Sequence, residues 1–224
     1  MERVRKFSPI ERGAHWALAV TFFILVLTGV PLYAYGWFGW LAPLFGGMYG
    51  ARVVHHWAGA AFTAILALAV VGGFRTWTAH VLRWDADDRA WRRYFLAYFF
   101  GLVSGSRLPP QGKYNAGQKA WSAVLIAGGL VLLGSGLIML FPNLFPVGLV
   151  RWMYPLHGLT AMGLLAYVIG HVFLAAFHRE TRVALSAMTS GWVDRRYLET
   201  HHAKWLEELG RTEKAGAAGG KSGA

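Results

Sequence analysis

Four apolar windows without a charged side chain dominate this sequence. They cover residues 15–36, 53–74, 120–141 and 152–177. Each is long enough to cross a hydrocarbon core of about 30 Å as a helix, which takes about 20 residues. The windows do not alternate strictly between apolar and polar residues, so a transmembrane barrel is not expected. The sequence therefore predicts an all-α membrane protein that folds as a bundle of four transmembrane helices.

Basic residues give the bundle its orientation. The chain has 22 Lys and Arg against 11 Asp and Glu, a net charge of +11. Only Arg52 and Arg151 lie between spans one and two or between spans three and four, so the other 20 share one side if both termini do. The positive-inside rule places that side, and both termini, in the cytoplasm. The excess charge thus reflects membrane topology, and no nucleic-acid partner is expected.

Histidines are the only residues inside the four windows whose side chains ordinarily ionise near neutral pH. His15 opens span one, His55 and His56 open span two, and span four carries His157 and His171. An ionisable side chain in a span is costly, so function is the default hypothesis. The chain has no cysteine, which excludes disulfides, thiolate metal sites and a covalently attached c-type haem. A redox cofactor would therefore be held by other ligands.

The depths of these histidines pair them across the membrane. His157 and His171 are 14 residues apart, which is about 21 Å along a helix and within about 40° of one face. Consecutive spans run in opposite directions, so His15 lies at the depth of His171. By the same argument, His55 or His56 lies at the depth of His157. Spacing alone leaves the choice between His55 and His56 open.

Two imidazoles at each of two depths, with no thiolate or carboxylate in the spans, are typical of two haems b that carry electrons across a membrane. Three arginines flank the histidines and are candidate partners of haem propionates. They are Arg12, Arg52 and Arg151.

Other interpretations of the histidines remain open. A single histidine in a span can hydrogen-bond at a helix interface or relay protons. A zinc or copper site fits less well, because two imidazoles fall short of a closed four-ligand shell. A haem-free structural anchor and a histidine-based transporter are the alternatives of another class. The remaining histidines lie at or beyond the span ends and are expected at the surface: His80, His178, His201 and His202.

Several motifs run through nearly the whole chain. They are RGAHW at 12–16, ARVVHHWAG at 51–59, GKYNAGQK at 112–119, PLHG at 155–158, GH at 170–171 and RRYLETHHAKW at 195–205. In these motifs and their order, the sequence resembles the cytochrome b (gamma) subunit of membrane-bound, respiratory formate dehydrogenases. GKYNAGQK is the most specific of them, because neither hydropathy nor haem ligation requires it.

The resemblance implies a set of site residues. It implies haem ligation by His15 with His171 on the cytoplasmic side and by His55 with His157 on the outer side, with His56 as the alternative ligand. It also implies a menaquinone or ubiquinone pocket next to the cytoplasmic-side haem. The residues that match that pocket are Asn115, Gly117, Gln118 and His171. Taken by itself, GKYNAGQK also reads as a Gly/Asn turn that caps span three.

The resemblance further implies a place in a complex of the bacterial cytoplasmic membrane. An iron–sulfur (beta) subunit on the outer side would receive electrons from a catalytic (alpha) subunit with molybdenum or tungsten. This chain would pass them through two haems b to quinone near the cytoplasmic side, and formate itself would not be handled here. The same-class alternative is the cytochrome b subunit of another quinone-linked complex, such as a hydrogenase or a thiosulfate reductase.

The sequence predicts one membrane domain followed by a tail. The di-haem cytochrome b domain is expected over residues 1–209. Residues 210–224 are rich in Gly, Ala and Lys, a composition typical of disordered segments.

Overall fold

The computed structural model describes residues 2–219. The α-helices of this range are α1 Pro9–Tyr33, α2 Tyr35–Phe38, α3 Gly47–Gly72, α4 Phe74–Thr76, α5 Ala86–Trp91, α6 Phe95–Phe99, α7 Ala116–Leu140, α8 Val147–Val172, α9 Leu185–Thr189, α10 Arg195–His201 and α11 Ala203–Gly219. Two short strands, β1 Arg3–Arg5 and β2 Trp192–Asp194, form the one sheet of this range. The helical fold that the sequence predicts is confirmed.

Within the described part of the chain, four helices are long and apolar enough to cross a membrane, as predicted. They are α1, α3, α7, and α8 together with the π-helical turn Phe173–Phe177 that follows it. Their mean hydropathy lies between 1.7 and 2.4. Each begins four to six residues before its predicted window, because the helix continues past the hydrocarbon core into its charged flank. Glu11 and Lys119 lie in such early turns.

The described residues group into two compact units, each considered by itself. The bundle unit comprises residues 9–73 and 123–171. The terminal unit comprises residues 2–8, 74–122 and 172–219. The expectation of one membrane domain over residues 1–209 stays a prediction.

Small residues set the helix packing of the bundle unit. Helix α1 packs along α3, and Thr28 of α1 is fully buried. Gly158 of α8 lies against the ring of Tyr33, and Gly128 of α7 lies against the side chain of Leu164. Without a hydrophobic driving force in lipid, such close approach supplies the van der Waals contacts that hold helices together.

The terminal unit has its own apolar core. Strand β1 pairs with β2 in antiparallel register, with Val4 opposite Val193. The core beneath this pair consists of Phe7, Ala187, Val193, Tyr197, Leu198 and Trp205. The sequence did not predict this sheet, because strands of three residues at opposite ends of the chain leave no periodic signal. The pairing brings the N-terminal segment beside the segment that follows α8.

The end of the described chain differs from the predicted disordered tail. Residues 210–219 continue helix α11 instead. The first turns of α11 are anchored, since Trp205 lies in the core of the terminal unit and Leu206 and Leu209 pack against it. Once such a turn is fixed, further residues extend the helix without a second nucleation step. The remainder of the predicted tail, residues 220–224, lies outside the described residues.

Two glycines of α8 allow the packing of the bundle unit to be tested. A Cβ atom at Gly158 would overlap the ring of Tyr33, whereas a Cβ at Gly163 meets no atom within 4 Å. Gly158→Ala should therefore destabilise the protein by about 1–3 kcal/mol, the usual cost of overpacking. Thermal unfolding of the purified protein in detergent measures this, with Gly163→Ala as the matched control. Equal unfolding midpoints for the two variants would contradict this description of the α1–α8 contact.

Candidate metal centres

Two pairs of histidines face each other inside the bundle unit. The rings of His15 on α1 and His171 on α8 have centroids 6.2 Å apart. The rings of His55 on α3 and His157 on α8 have centroids 6.3 Å apart. Helix direction and depth predict the first pair, and for His157 they predict a partner that is either His55 or His56.

The separation within each pair suits one metal ion between the two rings. Metal–imidazole bonds are about 2 Å long, so two imidazoles on opposite sides of one ion have ring centroids about 6 Å apart. Within residues 2–219, no third His, Asp or Glu completes a metal-binding group at either pair. Histidine nitrogens are ligands that a haem iron takes from a protein, so each pair would hold one haem b.

Hydroxyl groups orient the rings of the second pair. Thr28 donates its hydroxyl hydrogen to the carbonyl of Ile24, at 2.7 Å, and its oxygen lies 2.9 Å from Nδ1 of His55. A hydroxyl has one hydrogen, so the Thr28 oxygen accepts from His55 Nδ1–H. The lone pair of His55 is then on Nε2. Metal-bound histidines are commonly oriented in this way by a partner on the other ring nitrogen.

The hydroxyl of Ser135 orients the ring of His157 in the same way. Its hydroxyl donates to the carbonyl of Val131 at 2.6 Å and lies 2.9 Å from Nδ1 of His157. His157 therefore donates from Nδ1 and keeps its lone pair on Nε2. Both members of the second pair are in the tautomer that can bind a metal through Nε2.

The first pair has a different environment. Nδ1 of His15 is buried and has no hydrogen-bond partner among the described residues. The ring of Trp16 meets the ring of His15 edge-on, with centroids 5.3 Å apart. A buried polar nitrogen without a partner is costly, which is compatible with a ring nitrogen placed for a ligand.

Glycines leave room for two of the rings. A Cβ on Gly29 would lie 3.0 Å from Cε1 of His55, and one on Gly136 would lie 3.5 Å from Cε1 of His157. At Gly158 the neighbour is the ring of Tyr33 instead, so this glycine serves helix packing.

The structure distinguishes the two neighbouring histidines of α3. The ring of His55 faces His157 and is held by Thr28, whereas His56 is exposed. Adjacent helical positions point about 100° apart, so only one of them can face α8. Geometry thus favours His55, the position that the family resemblance implies.

The three candidate propionate partners lie on the same helices as the histidines. Arg12 precedes His15 on α1 and is half-buried, and Arg52 on α3 and Arg151 on α8 are exposed. Their role toward a propionate stays a prediction.

The GKYNAGQK motif forms the start of α7 in the terminal unit. Asn115 Oδ1 accepts from the backbone N–H of Gln118 at 2.8 Å, and Gln118 Oε1 accepts from the backbone N–H of Asn115 at 3.1 Å. This reciprocal pair is a capping box, so the capping turn that the motif suggests is present. Gly117 is required for packing, since a Cβ there would lie 2.8 Å from the buried ring of Trp91.

Some polar residues near these sites escaped sequence reasoning. Thr28 and Ser135 carry no local sequence signal of their role, because their partners are 27 and 22 positions away. The expectation that the histidines beyond the spans lie at the surface is wrong for His178 and His202, which are buried. They pack inside the terminal unit, whose core the hydropathy windows did not reveal.

Helices that can span a membrane and hold two facing pairs of histidines define the class of the protein, a multi-pass membrane cytochrome b. The chain belongs to the prokaryotic cytochrome b561 family, whose model matches residues 6–191. Membership implies haem b as the cofactor and electron transport as the general role.

Similar proteins extend along nearly the whole chain. The formate dehydrogenase cytochrome b556(fdo) subunit of Escherichia coli strain K12 is 26% identical over 216 residues, which cover 94% of this chain and 95% of that protein. The nitrate-inducible formate dehydrogenase cytochrome b556(Fdn) subunit of the same organism is 27% identical over 210 residues, covering 91% and 90%. The formate dehydrogenase cytochrome b556 subunit of Haemophilus influenzae is 27% identical over 210 residues, covering 92% and 83%. The resemblance drawn from the motifs is confirmed.

Substitution of the neighbouring histidines of α3 tests the ligand of the second pair. His55→Ala should lower the haem b content of the purified protein, because it removes the imidazole that faces His157. His56→Ala, one position along the same helix, is the matched control and should retain the haem content of the wild type. The pyridine haemochrome spectrum measures both. Loss of haem from the His56 variant alone would reverse the assignment.

Proposed function

We propose that the chain is the electron-transfer subunit of a formate dehydrogenase complex in the bacterial cytoplasmic membrane. It would receive electrons from an iron–sulfur subunit on the outer side and deliver them to quinone near the cytoplasmic side. The observation that carries the proposal is the two histidine pairs, with ring centroids 6.2 and 6.3 Å apart.

Each pair would hold one haem b. His15 with His171 is the candidate ligand set of one, and His55 with His157 that of the other. When bound, haem b supplies a reversible one-electron redox couple. The protein's own contribution is to fix the rings: the hydroxyls of Thr28 and Ser135 hold one pair in the Nε2-binding tautomer.

Charge supports the proposed orientation. Arg52 and Arg151 are the only Lys or Arg residues in the two connections assigned to the outer side, and basic residues accumulate on the cytoplasmic side of membrane proteins. With this orientation, the pair of His15 and His171 lies toward the cytoplasm. Protons for quinol formation would then come from the cytoplasm, which would make the reaction charge-separating.

Quinone would bind at the start of α7. The amide oxygens of Asn115 and Gln118 are occupied by the capping box, which leaves their NH₂ groups as the remaining donors of these side chains. A quinone carbonyl accepts hydrogen bonds, so the two amides offer it matched partners beside Gly117. The family resemblance adds His171, whose part in quinone binding stays a prediction.

The names of the relatives favour formate as the source of electrons. The three similar proteins are each named as a cytochrome b subunit of a formate dehydrogenase. Oxidation of formate would take place in a catalytic subunit with molybdenum or tungsten, joined to this chain through the iron–sulfur subunit. A hydrogenase or thiosulfate reductase complex is the competing assignment.

Haem stoichiometry and formate-driven reduction test the electron path. Purified complex should contain two haems b per chain, and formate should reduce both. His157→Ala should leave one haem, and formate should no longer reduce it, because the outer-side haem that links it to the partner subunits is lost. Reduced-minus-oxidised spectra of membranes measure both effects.

The exposed His56 provides the control for that experiment. His56→Ala should behave as the wild type in haem content and in reduction by formate. Two haems in the His157 variant would refute the ligand assignment. Reduction by hydrogen but not by formate would instead favour the hydrogenase assignment.

Conservative variants of the capping box test the quinone site. Asn115→Asp and Gln118→Glu keep the oxygens that cap α7, but each removes one NH₂ donor. Both should retain the haems and slow their reoxidation by added quinone roughly fivefold to tenfold, the worth of one hydrogen bond. Stopped-flow spectroscopy of dithionite-reduced membranes mixed with ubiquinone-1 or menadione measures the rate.

The charge that these variants add needs its own control. Asn115→Ser keeps a capping oxygen and a hydroxyl donor without adding charge, so it should be slowed less than Asn115→Asp. Unchanged reoxidation rates in both acidic variants would overturn the quinone site.

A further inference from the structure

A buried lysine in the terminal unit has a histidine as its partner. Lys6 is only 3% exposed, and its Nζ lies 2.9 Å from Nε2 of His202, which is 0% exposed. Within the part of the chain that the structure describes, no carboxylate lies within ion-pair distance of Lys6. A buried ammonium group without an anionic partner weakens the folded state. A purely structural contact would be served as well by two apolar side chains.

The tautomer of His202 is fixed by the backbone. Its Nδ1 lies 2.7 Å from the carbonyl oxygen of Gly112. A carbonyl only accepts hydrogen bonds, so Nδ1 carries the hydrogen and the lone pair is on Nε2. Lys6 therefore donates to His202, and the proton that can be exchanged in this contact is held on the Lys6 amine.

This contact lies directly on the loop that leads to the proposed quinone site. Gly112 is three residues before Asn115. Phe7, the neighbour of Lys6, packs against Tyr114 with ring centroids 6.0 Å apart. The backbone N–H of Lys204 donates to the carbonyl of Gln111. Residues 111–114 are thus held between the N-terminal segment and the start of α11.

We propose that Lys6 and His202 form a proton-holding pair that supplies protons to quinone bound at Asn115 and Gln118. The inference rests on the proposed function, because it presumes the quinone site. Reduction of a quinone to a quinol takes two electrons, here from the partner subunits, and one proton on each carbonyl oxygen. Lys6 gives up one proton, becomes a neutral amine and recovers a proton from the cytoplasm, so it discharges twice for each quinol.

The surroundings of the pair suit this role. Burial and the nearby charge of Lys113 lower the pKa of Lys6 to about 7. Burial, followed by the charge of Lys6, holds the pKa of His202 well below its usual range. A group that donates protons most effectively has a pKa near the working pH. Lys6 is therefore the titrating member near neutral pH, and His202 is the neutral partner that positions it.

Besides Lys113 and Tyr114 on the loop, the titratable groups near the pair lie on α10 and in the segment that follows α8. The ring of Tyr197 has its centroid 6.0 Å from that of His202. His201 stacks on Tyr197, with centroids 4.3 Å apart, and its Nε2 lies 3.7 Å from a carboxylate oxygen of Glu180. Burial raises the pKa of Tyr197 above its usual range, so this tyrosine remains neutral.

The pH dependence of quinone-driven haem reoxidation tests the proposal. In the wild type the rate should fall as the pH rises through about 7, because Lys6 loses its proton. Lys6→Met removes the group that carries the proton. Lys6→Arg keeps the positive charge but does not release its proton near neutral pH. Both variants should be slower than the wild type by at least about tenfold at pH 6 and should lack the inflection. Arg5→Met, at an exposed neighbouring position, is the matched control and should keep the wild-type profile.

Stability provides a readout that does not depend on turnover. A lysine with a lowered pKa binds fewer protons in the folded state than in the unfolded state between the two pKa values, so stability rises with pH there. The thermal unfolding midpoint of the purified wild type should therefore include a rise between pH 7 and about 9. Lys6→Met should lose that rise. Parallel curves for the two proteins would show that Lys6 does not titrate in this range and would overturn the proposal.

The two proposals fail in different ways. Unchanged rates in the Asn115→Asp and Gln118→Glu variants would overturn the quinone site, and the present inference with it. Slow rates in those variants, together with a wild-type rate and inflection in both Lys6 variants, would overturn the proton-holding pair and leave the proposed function intact. A uniform loss of rate at all pH values in the Lys6 variants, with the inflection retained, would assign Lys6 a structural role only.

Discussion

The cost of placing an imidazole in an apolar helix is the constraint on which the bundle depends. His15, His55, His157 and His171 lie on helices that have the hydropathy of membrane spans. Each faces a second histidine across a gap that fits one metal ion, and the ring centroids are 6.2 or 6.3 Å apart. Hydroxyl groups one layer further out fix the tautomer of one pair. The packing of α1, α3 and α8 therefore serves to hold ring nitrogens at a set distance.

The terminal unit is stabilised by different interactions. Most of its helices are short, and they are ordered by capping, by the small sheet and by a modest apolar core. The capping box of Asn115 and Gln118 has an observed structural role and a proposed binding role. The amide oxygens start α7, and the amide nitrogens stay free for the quinone that we propose. The buried contact of Lys6 with His202 lies on the same loop.

Much of the bundle could be predicted, because membrane-spanning helices need a minimum apolar length and consecutive spans run in opposite directions. Apolar length gave the four spans, and helix direction gave the pairing of His15 with His171. The choice between His55 and His56 needed the structure, since adjacent positions have the same depth and differ only in the direction of the side chain. The burial of His202 also went unpredicted, because its partner Lys6 is 196 positions away. A tail composition typical of disorder did not reveal that α11 is anchored by Trp205.

By itself, the amino-acid sequence determined the number of helices able to span a membrane and the depth of each histidine along them, since these follow from local apolar length and helical rise. Its charge pattern predicts their orientation. Tertiary structure alone decided which ring nitrogen keeps its lone pair, which hydroxyl binds the other ring nitrogen and which lysine is buried. Those properties depend on contacts between residues far apart in the chain, and hydropathy and spacing carry no information about them.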